Sequence, residues 1–296
     1  MTLTNLLIEE LDLSQINFNG NTLTLQCKQL NKIVGSETFN GSLFLLPKDC
    51  RLTELTLEGI SNIQGDFQCK DYFYVKEFVM PFIRVAGDMT IALNSGSVNT
   101  EAEIEFPKLQ EIGGTLTLGT NRNANNITFP LLKKILGSCS VTTSHLKNDI
   151  EFTNLESIGT DGANAQIKFE IEATNILCPK LKTINGKFDI ATSSFMFDME
   201  VDKVSYPNVE SISENLSITC PYSDFGSNGI LSIDFSGLKS VKGISISGQG
   251  DVTDFSSFKY LFENNVLTGE SQWSVKECGY NPTFQEMKDG KYKLAE

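Results

Sequence analysis

One short frame recurs along this chain, and it limits the possible folds more than any other feature. Copies at residues 104–118, 127–141, 176–190 and 204–218 align without a gap on the pattern apolar-x-aromatic-Pro-x-Leu-x-x-Ile-x-Gly-x-apolar-x-apolar. Looser copies extend the pattern over most of residues 23 to 246, and equivalent positions recur every 23 to 28 residues. Because a unit this short cannot bury its own apolar face, successive units must stack on one another.

Each copy of the frame begins and ends with alternating apolar residues, such as Ile104 and Phe106, and then Leu116 and Leu118. Such alternation predicts short, half-buried strands. Stacking would pair each strand with its equivalent in the next turn, at a separation of about 4.8 Å. The sequence therefore predicts an all-β fold, a right-handed β-solenoid of about ten leucine-rich turns.

The frame is lost at both ends of the chain, where a solenoid needs caps to cover its core and its strand edges. Residues 3–16 and 251–268 instead have a helix-compatible apolar spacing, as at Phe255 and Phe258. We expect an N-terminal cap at 1–22, leucine-rich β-solenoid repeats at 23–250, and a C-terminal cap and tail at 251–296. Trp273, the single tryptophan, is more simply explained as a plug of the second cap than as a ligand platform.

The frame resembles the repeat of receptor L domains, as in the ectodomains of the insulin and epidermal growth factor receptors. It is also similar to fungal cell-wall proteins of the sporulation-specific type and to leucine-rich surface proteins of anaerobic gut bacteria. Residues 273–292 look like the closing segment of that bacterial group. The resemblance implies an extracellular or outer cell-surface location and a ligand-binding or adhesion role.

Charge and hydropathy restrict the partners. The formal net charge of −13 would repel a polyanion, so we expect no nucleic-acid partner. No apolar run approaches the roughly 18 residues that cross a bilayer, so we expect no membrane insertion. The first residues lack the basic and apolar regions of an export signal, so either the chain is not exported or a leader has been removed.

The seven cysteines form no C-x-x-C pair, which argues against a zinc ribbon or a redox motif. The frame and its inward alternation place five of them in the core, as small apolar side chains with free thiols. These five are Cys27, Cys69, Cys139, Cys178 and Cys220. Disulfide pairing of one or more of them is the alternative.

The connections between repeats vary in length but leave the same point of the frame, at 92–103, 119–126, 142–149, 191–203 and 219–229. Stacking gathers them along one edge, which is the expected binding site unless they are merely tolerated surface excursions. The candidate ligand-binding residues are the aromatic side chains Phe195, Phe197, Tyr222 and Phe225, with a second patch at Tyr72 and Tyr74. Packing of these loops against the solenoid would explain the same residues.

Outward strand positions are rich in hydroxyls that could hydrogen-bond a glycan, although the rows are interrupted at Lys187 and Asp189. An ordinary solvated β-surface is the alternative. The hydroxyl positions are Thr115, Thr117, Ser140, Thr142, Ser217, Ser245 and Ser247.

Evidence for catalysis is weak. Two runs of alternating carboxylates could form a calcium site or the acid–base pair of a glycoside-cleaving β-helix, but solvated strands explain them more simply. The runs are Glu101, Glu103 and Glu105, and Asp198, Glu200 and Asp202. His145, the single histidine, has no nucleophile motif beside it.

We therefore expect no enzyme activity, with no catalytic residue, metal site or cofactor. The expected function is that of a non-catalytic secreted or cell-surface binding or adhesion module, which recognises a protein or a glycan as a monomer or weak homo-oligomer. A carbohydrate-active β-helix enzyme and a self-assembling structural surface protein are the alternatives.

Overall fold

The computed structural model describes residues 1–4, 8–46, 54–70, 77–92, 102–119, 124–143, 146, 148–162, 164–171, 174–192, 203–219, 230–248 and 251–295. Within these ranges the chain is an all-β solenoid, in which parallel strands from successive turns form three long sheets. The sheets have twelve, eight and eight strands, which roughly matches the predicted number of turns.

Each regular turn contributes one strand to each of the three sheets, which we call sheets B, C and A in the order in which the chain passes through them. Sheet A contains β1 (Thr2–Thr4), β3 (Thr22–Gln26), β6 (Ser42–Leu45), β9 (Phe67–Lys70), β12 (Met89–Ala92), β15 (Leu116–Leu118), β18 (Cys139–Thr142), β21 (Ala165–Ile171), β24 (Gly186–Thr192), β27 (Asn215–Thr219), β29 (Gly243–Ser247) and β30 (Trp273–Lys276).

Sheet B contains β2 (Glu10–Asp12), β4 (Lys32–Val34), β7 (Glu54–Glu58), β10 (Glu77–Val79), β13 (Ala102–Glu105), β16 (Ala124–Thr128), β19 (Ile150–Glu151) and β22 (Ile176–Leu177), while β25 (Lys203–Ser205) and β28 (Ser232–Asp234) form a separate pair. Sheet C contains β5 (Thr38–Phe39), β8 (Asn62–Ile63), β11 (Arg84–Val85), β14 (Glu111–Ile112), β17 (Lys134–Ile135), β20 (Ser157–Ile158), β23 (Thr183–Ile184) and β26 (Ser211–Ile212).

The apolar positions that recur in each copy of the frame form columns in the core. The isoleucine position gives a column along sheet C, in which Ile112 pairs with Ile135 and Ile135 with Ile158. The aromatic position gives a column of stacked rings. The ring centroids of Phe106 and Phe129 lie 4.8 Å apart and those of Phe129 and Phe152 lie 5.1 Å apart, and all three side chains are buried. The repeated frame is therefore a description of the core.

Stacked glycines form the corner between sheets C and A. The amide of Gly114 donates to the carbonyl of Gly87 (2.9 Å), and the amide of Gly137 donates to the carbonyl of Gly114 (3.0 Å). The carboxylate of Asp88 reaches past this corner and accepts a hydrogen bond from the amide of Thr115 in the next turn (2.7 Å). A Cβ atom on Gly114 would lie 2.2 Å from Asp88 Oδ1, so this position has no room for a side chain.

The N-terminal residues join the sheets. β1 pairs in parallel with β3, and β2 pairs with β4, so that Leu3 lies beside Leu25 and Leu11 beside Ile33. The described part of residues 3–16 therefore does not adopt the helix that its apolar spacing suggests, because strand pairing with the next turn outweighs the local pattern.

The C-terminal segment carries the helices of the described chain. These are a 3-10 turn at Ser256–Phe258, α1 (Lys259–Glu263), a second 3-10 turn at Glu270–Gln272, and α2 (Phe284–Lys288). The same segment also supplies β30, the last strand of sheet A. The division into caps and repeats at residues 22 and 250 stays a prediction.

Trp273 is buried at this end, as expected for a plug. Its ring contacts those of Phe255, Phe258 and Phe262, and its indole N–H donates to the carbonyl of Pro282 (2.9 Å). Only 5% of the side chain is exposed.

Four of the five cysteines that the frame places in the core are buried there: Cys27, Cys69, Cys139 and Cys178. Cys27, Cys139 and Cys178 have free thiols, whereas Cys220 lies outside the described residues. Burial raises the pKa of the Cys139 thiol, and burial together with the neighbouring Cys139 raises the pKa of the Cys178 thiol. Both thiols are therefore protonated and unreactive at neutral pH.

We expect a thiol reagent at neutral pH to leave Cys139 and Cys178 unmodified in the native protein and to modify both after unfolding in guanidinium, as peptide mapping by mass spectrometry would show. A Ser232→Cys variant provides the control, because Ser232 is exposed on β28 and its replacement should react in both states. Rapid modification of Cys139 in the folded protein would contradict its placement in the core.

Candidate functional site

The outer face of sheet A is a polar surface along the length of the solenoid. Register aligns its outward side chains in columns, and the central column contains Thr90, Thr117, Ser140, Lys168, Asp189, Ser217, Ser245 and Ser274. Lys168 and Asp189 divide this column into two hydroxyl segments. Of the hydroxyls anticipated from the sequence, Thr117, Ser140, Ser217 and Ser245 lie in this column, whereas Thr115, Thr142 and Ser247 lie outside it.

A depression interrupts this face at Gly243, the first residue of β29. Gly243 is in register with Asn215 of β27, but it has no side chain to fill the outward position. The resulting space has a volume of ≈ 370 Å³. The residues around it, which we call the Gly243 depression, are Lys187, Asn215, Leu216, Ser217, Lys242, Gly243, Ile244, Ser245, Ser271, Gln272 and Ser274.

The two lysines of the Gly243 depression are neutralised by neighbouring carboxylates. Lys187 Nζ lies 2.9 Å from Asp189 Oδ1, and Lys242 Nζ lies 2.5 Å from Glu214 Oε1. The depression therefore presents hydroxyls and amides rather than net charge. This chemistry suits an uncharged ligand with many hydroxyl groups better than an anion.

Asn215 and Ser245 are exposed at the rim, while Ser217 and Ser274 are half-buried beside them. A hydroxyl donates one hydrogen bond and accepts others, and an amide side chain does both as well. Adjacent strands are about 4.8 Å apart, so the three serines offer a regular series of such groups along the solenoid axis.

The carboxylate of Glu170, which is hydrogen-bonded by its neighbours, lies further along the outer face of sheet A. Lys168 and the hydroxyl of Thr142 both donate to the carboxylate of Glu170. Burial alone would raise the pKa of Glu170, but these hydrogen bonds outweigh it and hold that pKa below its usual range. Glu170 is thus an ionised, internally paired group at neutral pH.

The aromatic residues predicted to contact a ligand lie outside the described residues. They are Phe195, Phe197, Tyr222, Phe225, Tyr72 and Tyr74. The strands before them, β24, β27 and β9, all belong to sheet A, so the connections that carry these residues start at the same edge, as expected. The Gly243 depression lies near the N-terminal ends of the strands of sheet A, whereas these connections leave from the C-terminal ends. The role of the aromatic residues stays a prediction.

The acidic runs are described only in part. Glu103 and Glu105 lie on β13, where Glu103 Oε2 accepts a hydrogen bond from the Asn126 amide (2.8 Å). Outside the described residues lie Glu101, Asp198, Glu200, Asp202 and His145. Within the described ranges, no three His, Cys, Asp or Glu side chains converge in a way that could hold a metal ion.

No protein-family model, no curated protein and no solved structure matches this chain. The helices in the described part of the chain fall well short of the length that a membrane crossing requires, since α1 and α2 have five residues each.

Several members of the Gly243 depression were not anticipated from the sequence, notably Asn215, Gln272 and Ser274. Residues 233–246 are a looser copy of the frame, one residue shorter than the gapless copies, and aligning its closing Ile246 with Ile218 places Gly243 opposite Asn215. The alternation of Trp273 and Val275 is the signal for the final strand, whose outward neighbour is Ser274.

Proposed function

We propose that this protein is a non-catalytic binding or adhesion module of the leucine-rich, receptor-L-domain-like type, which recognises an uncharged glycan outside the cytoplasm or at the cell surface. The observation that carries the proposal is the Gly243 depression, in which hydroxyls and amides lie beside two lysines that are each paired with a carboxylate. The resemblance of the repeat frame to receptor L domains and bacterial surface proteins supports the location.

The shape and chemistry of the face support a saccharide as the ligand. A twelve-stranded parallel sheet offers a long surface that a polymer can follow, and the serine column of Ser217, Ser245 and Ser274 runs along it. Hydroxyl and amide groups match the alternating donors and acceptors of a sugar. Ordered water between the two surfaces would add to these contacts.

The overall charge supports the same choice of ligand. With a net charge of −13, the chain would repel acidic polysaccharides, nucleic acid and anionic lipid at low ionic strength. The paired lysines Lys187 and Lys242 do not offset this field locally. We expect the protein to bind as a monomer or weak homo-oligomer.

A panel of soluble polysaccharides tests the function directly. Mixed-linkage β-glucan, xylan and galactomannan represent uncharged polymers, and polygalacturonate represents an acidic one. We expect retarded migration of the protein in native gels that contain at least one uncharged polymer, no retardation by polygalacturonate, and no release of reducing sugar from any of them. Release of sugar would establish the enzyme alternative, and a failure to bind any uncharged polymer would overturn the proposal.

A further inference from the structure

The last strand of sheet A has an unpaired edge in the described part of the chain. β30 pairs with β29 on one side and ends the strand order of the sheet. The carbonyl of Lys276 accepts a hydrogen bond from the amide of Gly248, so the backbone of Lys276 faces β29. Successive residues of a strand direct their backbone groups to opposite edges. The N–H and C=O of Val275 therefore point away from β29.

A groove runs beside this edge. After β30 the chain turns back, and the hydrogen bond from the Trp273 indole to the Pro282 carbonyl fixes the returning segment near the strand. The groove has a volume of ≈ 460 Å³. Its lining, which we call the β30 groove, consists of Glu270, Trp273, Ser274, Val275, Asn281, Pro282, Thr283, Phe284 and Gln285.

The far wall of the β30 groove is firmly held. The hydroxyl of Thr283 accepts a hydrogen bond from the amide of Glu286 (3.2 Å), and the Glu286 carboxylate accepts one from the amide of Thr283 (2.9 Å). This reciprocal cap fixes the start of α2. The ring of Phe284 packs against Phe262 with a centroid separation of 5.5 Å. The groove is thus a preformed channel between a strand and a capped helix start.

The lining of the groove combines apolar and polar side chains with one carboxylate. Val275 and Phe284 are half-buried hydrophobic residues packed against the core, and each keeps part of its surface uncovered. Glu270 is exposed and is the charged residue of the lining. This one carboxylate, together with the net charge of −13, favours a basic partner over an acidic one.

We propose that the β30 groove binds an extended peptide by strand addition, at the strand edge next to the Gly243 depression, with which the groove shares Ser274. The peptide backbone pairs with the N–H and C=O of Val275 and becomes the next strand of sheet A. One apolar side chain of the peptide packs between Val275 and Phe284, and a lysine or arginine of the peptide lies beside Glu270. Backbone pairing supplies affinity in this mode, and the side-chain contacts supply selectivity.

The test uses the full chain and the peptide acetyl-Lys-Val-Thr-Val-Thr-amide. Trp273 lines the groove and is the only tryptophan of the protein, so a peptide bound there changes the surroundings of its indole. We expect a saturable change in emission. A peptide with alternate amides N-methylated should bind at least about tenfold more weakly, because it cannot pair with the strand edge. Replacing its lysine by glutamate should also weaken binding.

Variants of the protein separate the backbone from the side chain. Val275→Pro removes the outward N–H and should weaken binding at least about tenfold, whereas Val275→Ala keeps the N–H, loses only side-chain contact and should weaken binding less than Val275→Pro does. Circular dichroism checks that each variant is folded. If Val275→Pro does not fold, the N-methylated peptide decides the question with the wild-type protein.

The absence of a saturable fluorescence change would overturn the proposal. Equal binding of the N-methylated and unmodified peptides would do the same, because it would show that the strand edge is not used. Light scattering addresses a second copy of this chain as the occupant, and dimers that dissociate when the peptide is added would show that the groove serves self-association instead. The glycan proposal has its own test with polysaccharides and the Ser245 variant, so the two proposals can fail separately although Ser274 lines both sites.

Discussion

The variant Gly114→Ala is expected to lose about 3 kcal/mol of unfolding free energy, as measured by urea denaturation. The new methyl group would meet Asp88 Oδ1 at 2.2 Å and the carbonyl carbon of Gly87 at 2.7 Å. Relief of this clash requires movement of the backbone or loss of the hydrogen bond from the Thr115 amide to Asp88. Movement of the backbone would also disturb the two adjacent turns, because Gly114 is hydrogen-bonded to Gly87 and to Gly137.

Gly269→Ala is the matched control, because its methyl group would meet only Gln272 Oε1, at 3.9 Å. We expect a change of less than about 0.5 kcal/mol for this variant. A Gly114→Ala protein as stable as the wild type would show that the turns are not stacked as tightly as the structure has them.

Phe129→Ala is expected to cost about 4 kcal/mol of unfolding free energy. The side chain is fully buried and stacks between Phe106 and Phe152, so its removal leaves a cavity in the centre of the solenoid and breaks two ring contacts. Because each turn contacts mainly its neighbours, the loss should also make unfolding less cooperative and lower the urea m-value.

Leu131→Ala, two residues along the same turn, is the control, since 42% of Leu131 is exposed. Its expected cost is less than about 1 kcal/mol. Equal losses from the Phe129 and Leu131 variants would contradict the aromatic column.

The repeat frame predicted the core because core positions are constrained in every turn. Ile112, Phe129 and Cys139 occupy the inward positions that alignment of the copies assigns to them. Alternation sets which face of a strand is buried, and stacking sets its partner, so both follow from the periodicity of a single chain.

The N-terminal strands could not be predicted in this way. Leu3 and Leu11 belong to a segment whose apolar spacing fits a helix, yet β1 and β2 extend sheets A and B by one turn. The strand conformation of β1 and β2 is stabilised by hydrogen bonds to the backbone of β3 and β4. The apolar spacing within residues 3–16 carries no information about these distant partners.

The candidate site was accessible to sequence reasoning only in part. Ser217 and Ser245 stood out as outward hydroxyls, but outward positions are not limited by packing and vary from turn to turn. The Gly243 depression is also lined by Gln272, which comes from the C-terminal segment between β29 and β30 and lies outside the repeat frame. The aromatic residues of the long connections, such as Phe195 and Tyr222, stay predictions.

Calorimetry with the polysaccharide that retards the wild-type protein shows whether the Gly243 depression binds an uncharged glycan. Ser245→Tyr fills the depression, whereas Ser232→Tyr places the same side chain on β28, at an exposed serine of another face. We expect Ser245→Tyr to weaken binding at least about tenfold and Ser232→Tyr to change it by less than about twofold. Equal affinities of the two variants would contradict binding at the Gly243 depression.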